Sequence, residues 1–207
     1  MSVNITNQTL NNPHIDKDKL CYNRNLNLNN KGEALKQYID LFAGVGGFHF
    51  AFAQSNSAHC AFASEIDKSA QATYALNFPN TPLFGDITQD STQSAIPQNF
   101  DILCAGFPCQ AFSIAGYQKG FSDSRGTLFF EVEKIAKTHK PKAIFLENVK
   151  NLKTHNKGQT YATIKTSLQN LGYVIYDEVL NSATHANIPQ NRERIFIVAF
   201  DKAQVPN

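Results

Sequence analysis

Four residues near the ends of short apolar runs are of types that do covalent and proton chemistry. Cys109 follows Pro108 in the run Cys104-Ala105-Gly106-Phe107-Pro108-Cys109-Gln110. A thiolate is a strong nucleophile, and a cation or a helix N-terminus nearby makes one available at neutral pH. Cys104 sits inside the apolar run and reads as core. Glu147 closes the run Ala143-Ile144-Phe145-Leu146. An acid in that position is expected to be partly buried, which raises its pKa and keeps a proton to hand. Arg192 and Arg194 alternate in Gln190-Asn191-Arg192-Glu193-Arg194, so an extended backbone puts them on one face. Two guanidinium groups there suit a planar acceptor or a phosphate. Taken singly, Cys109 reads equally as a loop thiol, Glu147 as a capping carboxylate and the arginines as solvated surface.

A second group has the layout of a nucleoside site. Asp40-Leu41-Phe42-Ala43-Gly44-Val45-Gly46-Gly47 follows the first apolar run, and glycines there permit a sharp turn and close approach of a ligand to the main chain. The run does not complete G-x-G-x-x-G, because His49 stands at the third position. Glu65 lies 21 residues after Gly44, at the end of the next run, where a carboxylate can accept both hydroxyls of a ribose. Asp86, in Gly85-Asp86-Ile87-Thr88, follows the third and could accept a hydrogen bond from an adenine amino group.

The elements that must position these groups alternate. Strands are expected at Tyr38–Phe42, Cys60–Glu65, Pro82–Phe84, Asp101–Ala105, Ala143–Glu147, Tyr173–Leu180 and Ile195–Phe200, several of them short apolar runs as in strands buried on both faces. Helices are expected at Gly47–Gln54, Lys68–Asn77, Leu128–Thr138 and Thr160–Leu171. In the third of these, Leu128, Phe129, Val132, Ile135 and Ala136 share a face, and Pro141 ends it. The alternation predicts an α/β fold with a doubly wound sheet, whose ligands bind beyond the carboxyl ends of the strands.

Bulk properties set limits. The 207 residues are 42% apolar and 17% charged, which excludes wholesale disorder, and the net charge of +2 does not by itself suggest a nucleic-acid binder. Four cysteines (Cys21, Cys60, Cys104, Cys109) form no C-x-x-C pair and no compact cluster with histidine, so neither disulfides nor zinc are expected. The longest apolar runs are too short for a membrane span, and the polar N-terminus lacks a signal core; a cytoplasmic protein is expected. Residues 1–37 are rich in Asn and read as a flexible leader, with a short helix near Gly32–Gln37 or as a docking arm. Ser113 to Gly126 carries Gly116, Gly120 and Gly126 and reads as a hinged lid. Lys134–Lys157 holds seven lysines against the single acid Glu147, a solvated face or in part a surface for phosphates.

These motifs together resemble the cytosine-C5 DNA methyltransferases of bacterial restriction-modification systems. Asp40–Gly47 matches the family's first motif, Glu65 and Gly85-Asp86 the second and third, and Gly106-Phe107-Pro108-Cys109-Gln110 the fourth. Arg125-Gly126-Thr127-Leu128-Phe129-Phe130 resembles the fifth, Glu147-Asn148-Val149 the sixth, and Gln190-Asn191-Arg192-Glu193-Arg194 the eighth. The likeness covers about Tyr38 to Phe200.

The resemblance implies a Rossmann-like, S-adenosylmethionine-dependent methyltransferase sheet of seven strands, the last antiparallel. It implies Cys109 as nucleophile on ring C6 of a cytosine flipped out of duplex DNA, Glu147 on N3, Arg194 on O2 and Arg192 supporting the pocket. Phe42, Gly44, Gly46, Gly47, Glu65, Ile66, Asp86, Ile87, Pro108 and Leu128 are the implied S-adenosylmethionine positions, with no metal. Many relatives carry an aromatic residue where this chain has Ile66. The domain layout expected is a leader (1–37), a catalytic and cofactor domain (38–200) and a truncated tail (201–207). The family's target-recognition domain and its ninth and tenth motifs are not visible. Three expectations follow from that: a split enzyme completed by a second chain, a truncated gene, or a remnant. In each case the chain alone is expected to have little activity. A non-catalytic cofactor- or partner-binding module and a tRNA cytosine-C5 methyltransferase are the alternative readings, and Gln110-Ala111-Phe112-Ser113 favours the DNA enzymes over the latter.

Overall fold

The structure is a computed structural model that describes residues 35–108 and 128–203. Its strands are β1 (Lys36–Leu41), β2 (Ala58–Ser64), β3 (Leu83–Phe84), β4 (Ile102–Ala105), β5 (Ala143–Val149), β6 (Tyr173–Asn181) and β7 (Glu193–Asp201). Its helices are α1 (Gly47–Ser55), α2 (Lys68–Asn77), α3 (Asp90–Gln93), α4 (Leu128–His139), α5 (Gln159–Asn170) and α6 (Ser182–His185), with two 3-10 turns over Lys150–Lys153 and His155–Gly158. The seven strands form one sheet in the order β3-β2-β1-β4-β5-β7-β6. β1 to β5 pair in parallel, and β7 runs antiparallel between β5 and β6. This is the expected doubly wound sheet with its last strand reversed.

Alternation along the strands sends side chains to two different cores. Ile39, Leu41, Leu103, Ala105, Ile144 and Leu146 belong to the larger one, with Phe129, Val132, Ile135 and Ala136 of α4 and Ile164 and Leu168 of α5. Four of the five residues expected on the buried face of α4 are buried, and Leu128 is half-buried. Each large apolar side chain removed from water in this way contributes about 1.5–3 kcal/mol. Tyr38, Cys60, Ala63 and Cys104 face the other way, against Phe48 and Phe52 of α1 and Tyr74 of α2. Cys104 is fully buried, as expected of a core thiol, and burial pushes its pKa well up.

Local chemistry fixes the helix ends. Asp67 caps α2 by accepting the Ala70 N–H at 2.7 Å. Helix α4 ends at His139, and Lys140 turns into the left-handed region (φ 48°) before Pro141. Three departures from the sequence reading stand out. Lys36 and Gln37 open β1 and pair with Ala58 and His59, where a short helix was expected. Their exposed polar side chains hide a strand that only pairing to β2 defines. Helices α3 and α6 span one turn each, too short for a hydrophobic period to reveal. β7 begins two residues earlier than its apolar run, so that it includes Arg194.

Candidate active site

The carboxyl ends of β1, β2 and β3 build the first half of the site. β1 stops at Leu41, and Phe42 (φ 55°), Gly44 (φ 57°) and Gly46 (φ 96°) take left-handed conformations through the turn into α1. Glu65 braces that turn. Its Oε2 accepts the Gly44 N–H at 2.8 Å and its Oε1 accepts the Asp67 N–H at 2.8 Å. Each carboxylate oxygen keeps a lone pair, so both remain able to accept a hydroxyl. The neighbouring turn is tied down by Ser64 Oγ donating to the Gly85 carbonyl at 2.7 Å. Asp86 Oδ1 accepts the Thr88 N–H at 2.9 Å and its hydroxyl at 2.8 Å. Partial burial opposes ionisation of Asp86, but these bonds, with Gln89, outweigh it and hold the carboxyl below its ordinary range.

The apolar positions divide. Ile66 is 66% exposed beside Glu65, which fits a wall waiting for a flat ring. Ile87 turns into the core at 2% exposure, so it offers the site backbone rather than side chain. Pro108 is exposed at the mouth of β4, and Leu128 is half-buried at the start of α4.

The second half of the site gathers on β4, β5 and β7. The antiparallel register puts Arg194 opposite Val149 and Phe196 opposite Glu147. Arg194 Nε donates to Glu147 Oε1 at 3.0 Å, and Arg192 Nη2 lies 3.9 Å from the same oxygen. The two arginines do share a face, and their common target within the chain is the acid, an ion pair the sequence reading did not contain. Arg194 is fixed further by donating from Nη1 to the Glu193 carbonyl at 2.8 Å. The two halves adjoin at Gly106: a methyl group built there would lie 3.7 Å from Glu147 Oε2 and 3.8 Å from the Phe42 carbonyl. Cys109 and the expected lid lie outside the described residues, as does the leader as far as residue 34.

Two buried polar residues stand inside the quoted motifs without an assigned role. Asp40 is fully buried in β1, and neither carboxylate oxygen has a hydrogen-bond partner. Burial, and then the charge of Glu65, raise its pKa to about 8. An acid inside the run Tyr38-Ile39-Asp40-Leu41-Phe42 was the available signal. Asn148, 3% exposed, joins β5 to the chain beyond β4.

The basic stretch is largely engaged within the fold: Lys142 pairs with Asp101 at 2.7 Å, Lys150 with Glu193 at 2.9 Å and Lys153 with Asp177 at 2.6 Å. Among the described residues, no group of three His, Cys, Asp or Glu is placed to hold a metal ion, and no helix is long and apolar enough to cross a membrane.

Comparison with known proteins gives the family and the fold. The Type II methyltransferase M.HpaII of Haemophilus parainfluenzae is 55% identical over 167 residues, 80% of this chain and 46% of that protein. The Type II methyltransferase M.HhaI of Haemophilus parahaemolyticus is 51% identical over 164 residues, 79% of this chain and 49% of that one. The chain thus spans about half the length of the curated relatives it matches. In fold it is similar to the S. pombe Dnmt2 methyltransferase, with a TM-score of 0.67 at 22% identity over 83% of this chain and 53% of that one. The model of C-5 cytosine-specific DNA methylases matches residues 36–207, every described element of the sheet included, and the chain belongs to that family.

Proposed function

We propose that the chain is the catalytic and cofactor lobe of a DNA cytosine-C5 methyltransferase of a bacterial restriction-modification system. The observation that carries this reading is the adjacency of two half-sites. Glu65 braces a glycine turn suited to a nucleoside on one side of Gly106, and Glu147 with Arg194 and Arg192 stands on the other.

The residues present fit S-adenosylmethionine. Glu65 has a free lone pair on each oxygen that would accept from the ribose, Asp86 Oδ2 would accept from an adenine amino group, and exposed Ile66 would offer the ring an apolar wall. Phe42, Gly44, Gly46, Gly47, Ile87, Pro108 and Leu128 complete that set. When bound, the cofactor supplies a methyl group on a sulfonium, which is the electrophile.

The remaining chemistry belongs to the chain and the acceptor. A cytosine in a stacked duplex hides its reactive atoms, so the base swings out into the site. The Cys109 thiolate forms a bond to C6, and the electron pair of the C5–C6 double bond moves toward C5 and N3. Glu147 takes up a proton from solvent as Arg194 turns from it to O2, and donates it in a hydrogen bond to N3, so that the acid and the guanidinium together steady that charge. Arrival of the ring therefore exchanges the Glu147–Arg194 pair for two bonds to substrate, with Arg192 left to support the acid. C5 takes the methyl group. Loss of the C5 proton to a base then expels Cys109 and restores the ring. A polypeptide segment corresponding to the other half of the relatives would carry the base-reading surface.

The test is covalent capture. The chain, supplemented with the C-terminal half of the H. parainfluenzae relative, is incubated with S-adenosylmethionine and random-sequence duplex containing 5-fluorocytosine, or with tRNA carrying 5-fluorocytosine. An adduct stable to denaturation is expected with the duplex, and none with Cys109→Ser. No adduct, an adduct with the Cys109→Ser variant, or preference for tRNA would each overturn the reading. Glu147→Gln removes the charge and the ion pair but keeps the shape. It is expected to slow capture about 100-fold, with cofactor affinity unchanged in equilibrium dialysis.

A further inference from the structure

The run from Gly44 has His49 where a dinucleotide-binding turn carries its third glycine, the one that lets the helix pack closely on its surroundings. Here the helix presents a side chain instead, and that side chain is buried. His49, in the first turn of α1, is 7% exposed. Burial, and then His59, lower its pKa to about 4, so the ring is neutral at pH 7. Its Nδ1 lies 2.8 Å from the hydroxyl of Tyr74 in α2, a residue that is itself fully buried. The ring stacks on Phe78, the residue after α2, with centroids 3.6 Å apart. Phe78 is also the surface on which Gly46 rests, since a Cβ there would lie 2.3 Å from its ring.

These contacts close a circuit. Glu65 joins the starts of α1 and α2 at the rim of the sheet. Its Oε2 accepts the Gly44 N–H in the turn before α1, and its Oε1 accepts the N–H of Asp67, the capping residue of α2. A single carboxylate between two helices is a pivot and leaves their angle free. The His49–Tyr74 bond ties the same helices a second time, in the first turn of α1 and about two turns into α2. The Tyr74 hydroxyl also lies 3.7 Å from Cys60 Sγ of β2, the strand that leads to Glu65. Two attachments fix what one leaves to rotate, so the place of the glycine turn relative to Glu65 is set from both ends.

We propose that His49 is a positioning residue for the cofactor: bonded to Tyr74 and stacked on Phe78, it sets the Gly44–Gly46 turn at the separation from Glu65 that lets both reach one nucleoside. This rests on the reading of that turn and Glu65 as the S-adenosylmethionine site. His49 is buried behind the turn and acts through it.

Tyr74→Phe removes only the hydroxyl, and His49→Phe keeps a flat ring without a polar atom. Affinity for S-adenosylmethionine is measured by calorimetric titration of the assembly used for covalent capture, at a temperature where circular dichroism shows each variant folded. Each single variant is expected to weaken binding about tenfold, because a smaller share of molecules has the turn set for the cofactor. The double variant is expected to weaken it no further, since both changes break the same bond. Affinity for duplex is expected to stay within about twofold of wild type. A residue that only holds the fold would lower the melting temperature and leave the affinity of folded molecules unchanged, and that result would overturn the inference. Losses that multiply to about 100-fold in the double variant would overturn it too, because the two side chains would then act separately. If the wild-type assembly does not bind S-adenosylmethionine, the cofactor reading fails and this inference with it; binding by wild type that the variants share sinks the inference alone. Should the single variants fail to fold, Phe78→Leu breaks the stack from the other side. It is then expected to weaken binding about tenfold, and an unchanged affinity would count equally against the inference.

Discussion

Replacing Asp40 with asparagine is expected to remove a loss of stability that the wild-type protein suffers as pH rises toward 8. Asp40 lies in β1 with Ala63 and Cys104 as its strand partners, fully buried and without a hydrogen-bond partner on either oxygen. Burial first, and the nearby charge of Glu65 second, raise its pKa to about 8, against about 3.9 in an unfolded chain. Between those values the folded protein binds a proton that the unfolded chain has released. Stability therefore falls with pH by about 1.4 kcal/mol per unit until the folded acid ionises. His49 acts in the opposite sense at the acid end. Burial, with a contribution from His59, lowers its pKa to about 4, so stability is lost as pH falls from about 6.5 to about 4. The two slopes nearly cancel between about pH 4 and pH 6.5, and the Asp40 slope stands alone above that. The advantage of Asp40→Asn over wild type is thus expected to grow by about 3 kcal/mol from pH 6 to pH 8 and then level off. Urea unfolding of both proteins over a pH series measures this. Parallel stability curves would show that Asp40 does not titrate in that window.

The same residue shows where the sequence was legible and where it was not. Six of the seven strands end within a residue of expectation, because apolar runs mark them and stop near the rim where ligands bind, while β5 runs two residues past Glu147 to Val149. That is why Gly44, Glu65, Asp86 and Glu147 could be placed on one edge of the sheet before any coordinates. Pairing across distant strands was not readable in the same way. The Glu147–Arg194 ion pair depends on the antiparallel register that sets Val149 opposite Arg194, and nothing local to either residue encodes it. The bond from Asn148 to Phe107 likewise exists only once β4 and β5 lie side by side. Which part of Ile87 faces the rim was also not readable: the chain's direction after Asp86 sends its side chain into the core and leaves its backbone at the strand end. In each case the sequence named the residue type at the right place, and the fold decided what that residue faces.

Gly46→Ala is expected to destabilise the protein by about 2–4 kcal/mol, against about 1 kcal/mol for Gly44→Ala. Both glycines have positive φ, 96° at Gly46 and 57° at Gly44, so an added side chain meets the same class of backbone penalty at each, about 1 kcal/mol. Their surroundings differ. A Cβ on Gly44 would meet nothing within 4 Å, whereas one on Gly46 would lie 2.3 Å from Cε2 of Phe78 and 3.2 Å from Cε2 of Tyr74. Phe78 has little room to yield. Its ring stacks on His49 with centroids 3.6 Å apart and planes within 5°, and Phe50 and Tyr74 meet it at 4.8 and 4.9 Å. His49 is held in turn by the 2.8 Å bond between its Nδ1 and the Tyr74 hydroxyl. One methyl group therefore has to displace a ring interlocked with α1 and α2 together, and overpacking of that kind costs about 1–3 kcal/mol beyond the backbone term. The disturbance begins in the turn that Glu65 braces, so S-adenosylmethionine affinity should fall together with stability in Gly46→Ala, whereas in Gly44→Ala any loss of affinity should come without a comparable loss of stability. Chemical denaturation and calorimetric titration of the two variants separate these effects. Equal destabilisation at both positions would mean that Phe78 gives way, and that the ring cluster behind the glycine turn is softer than its packing implies.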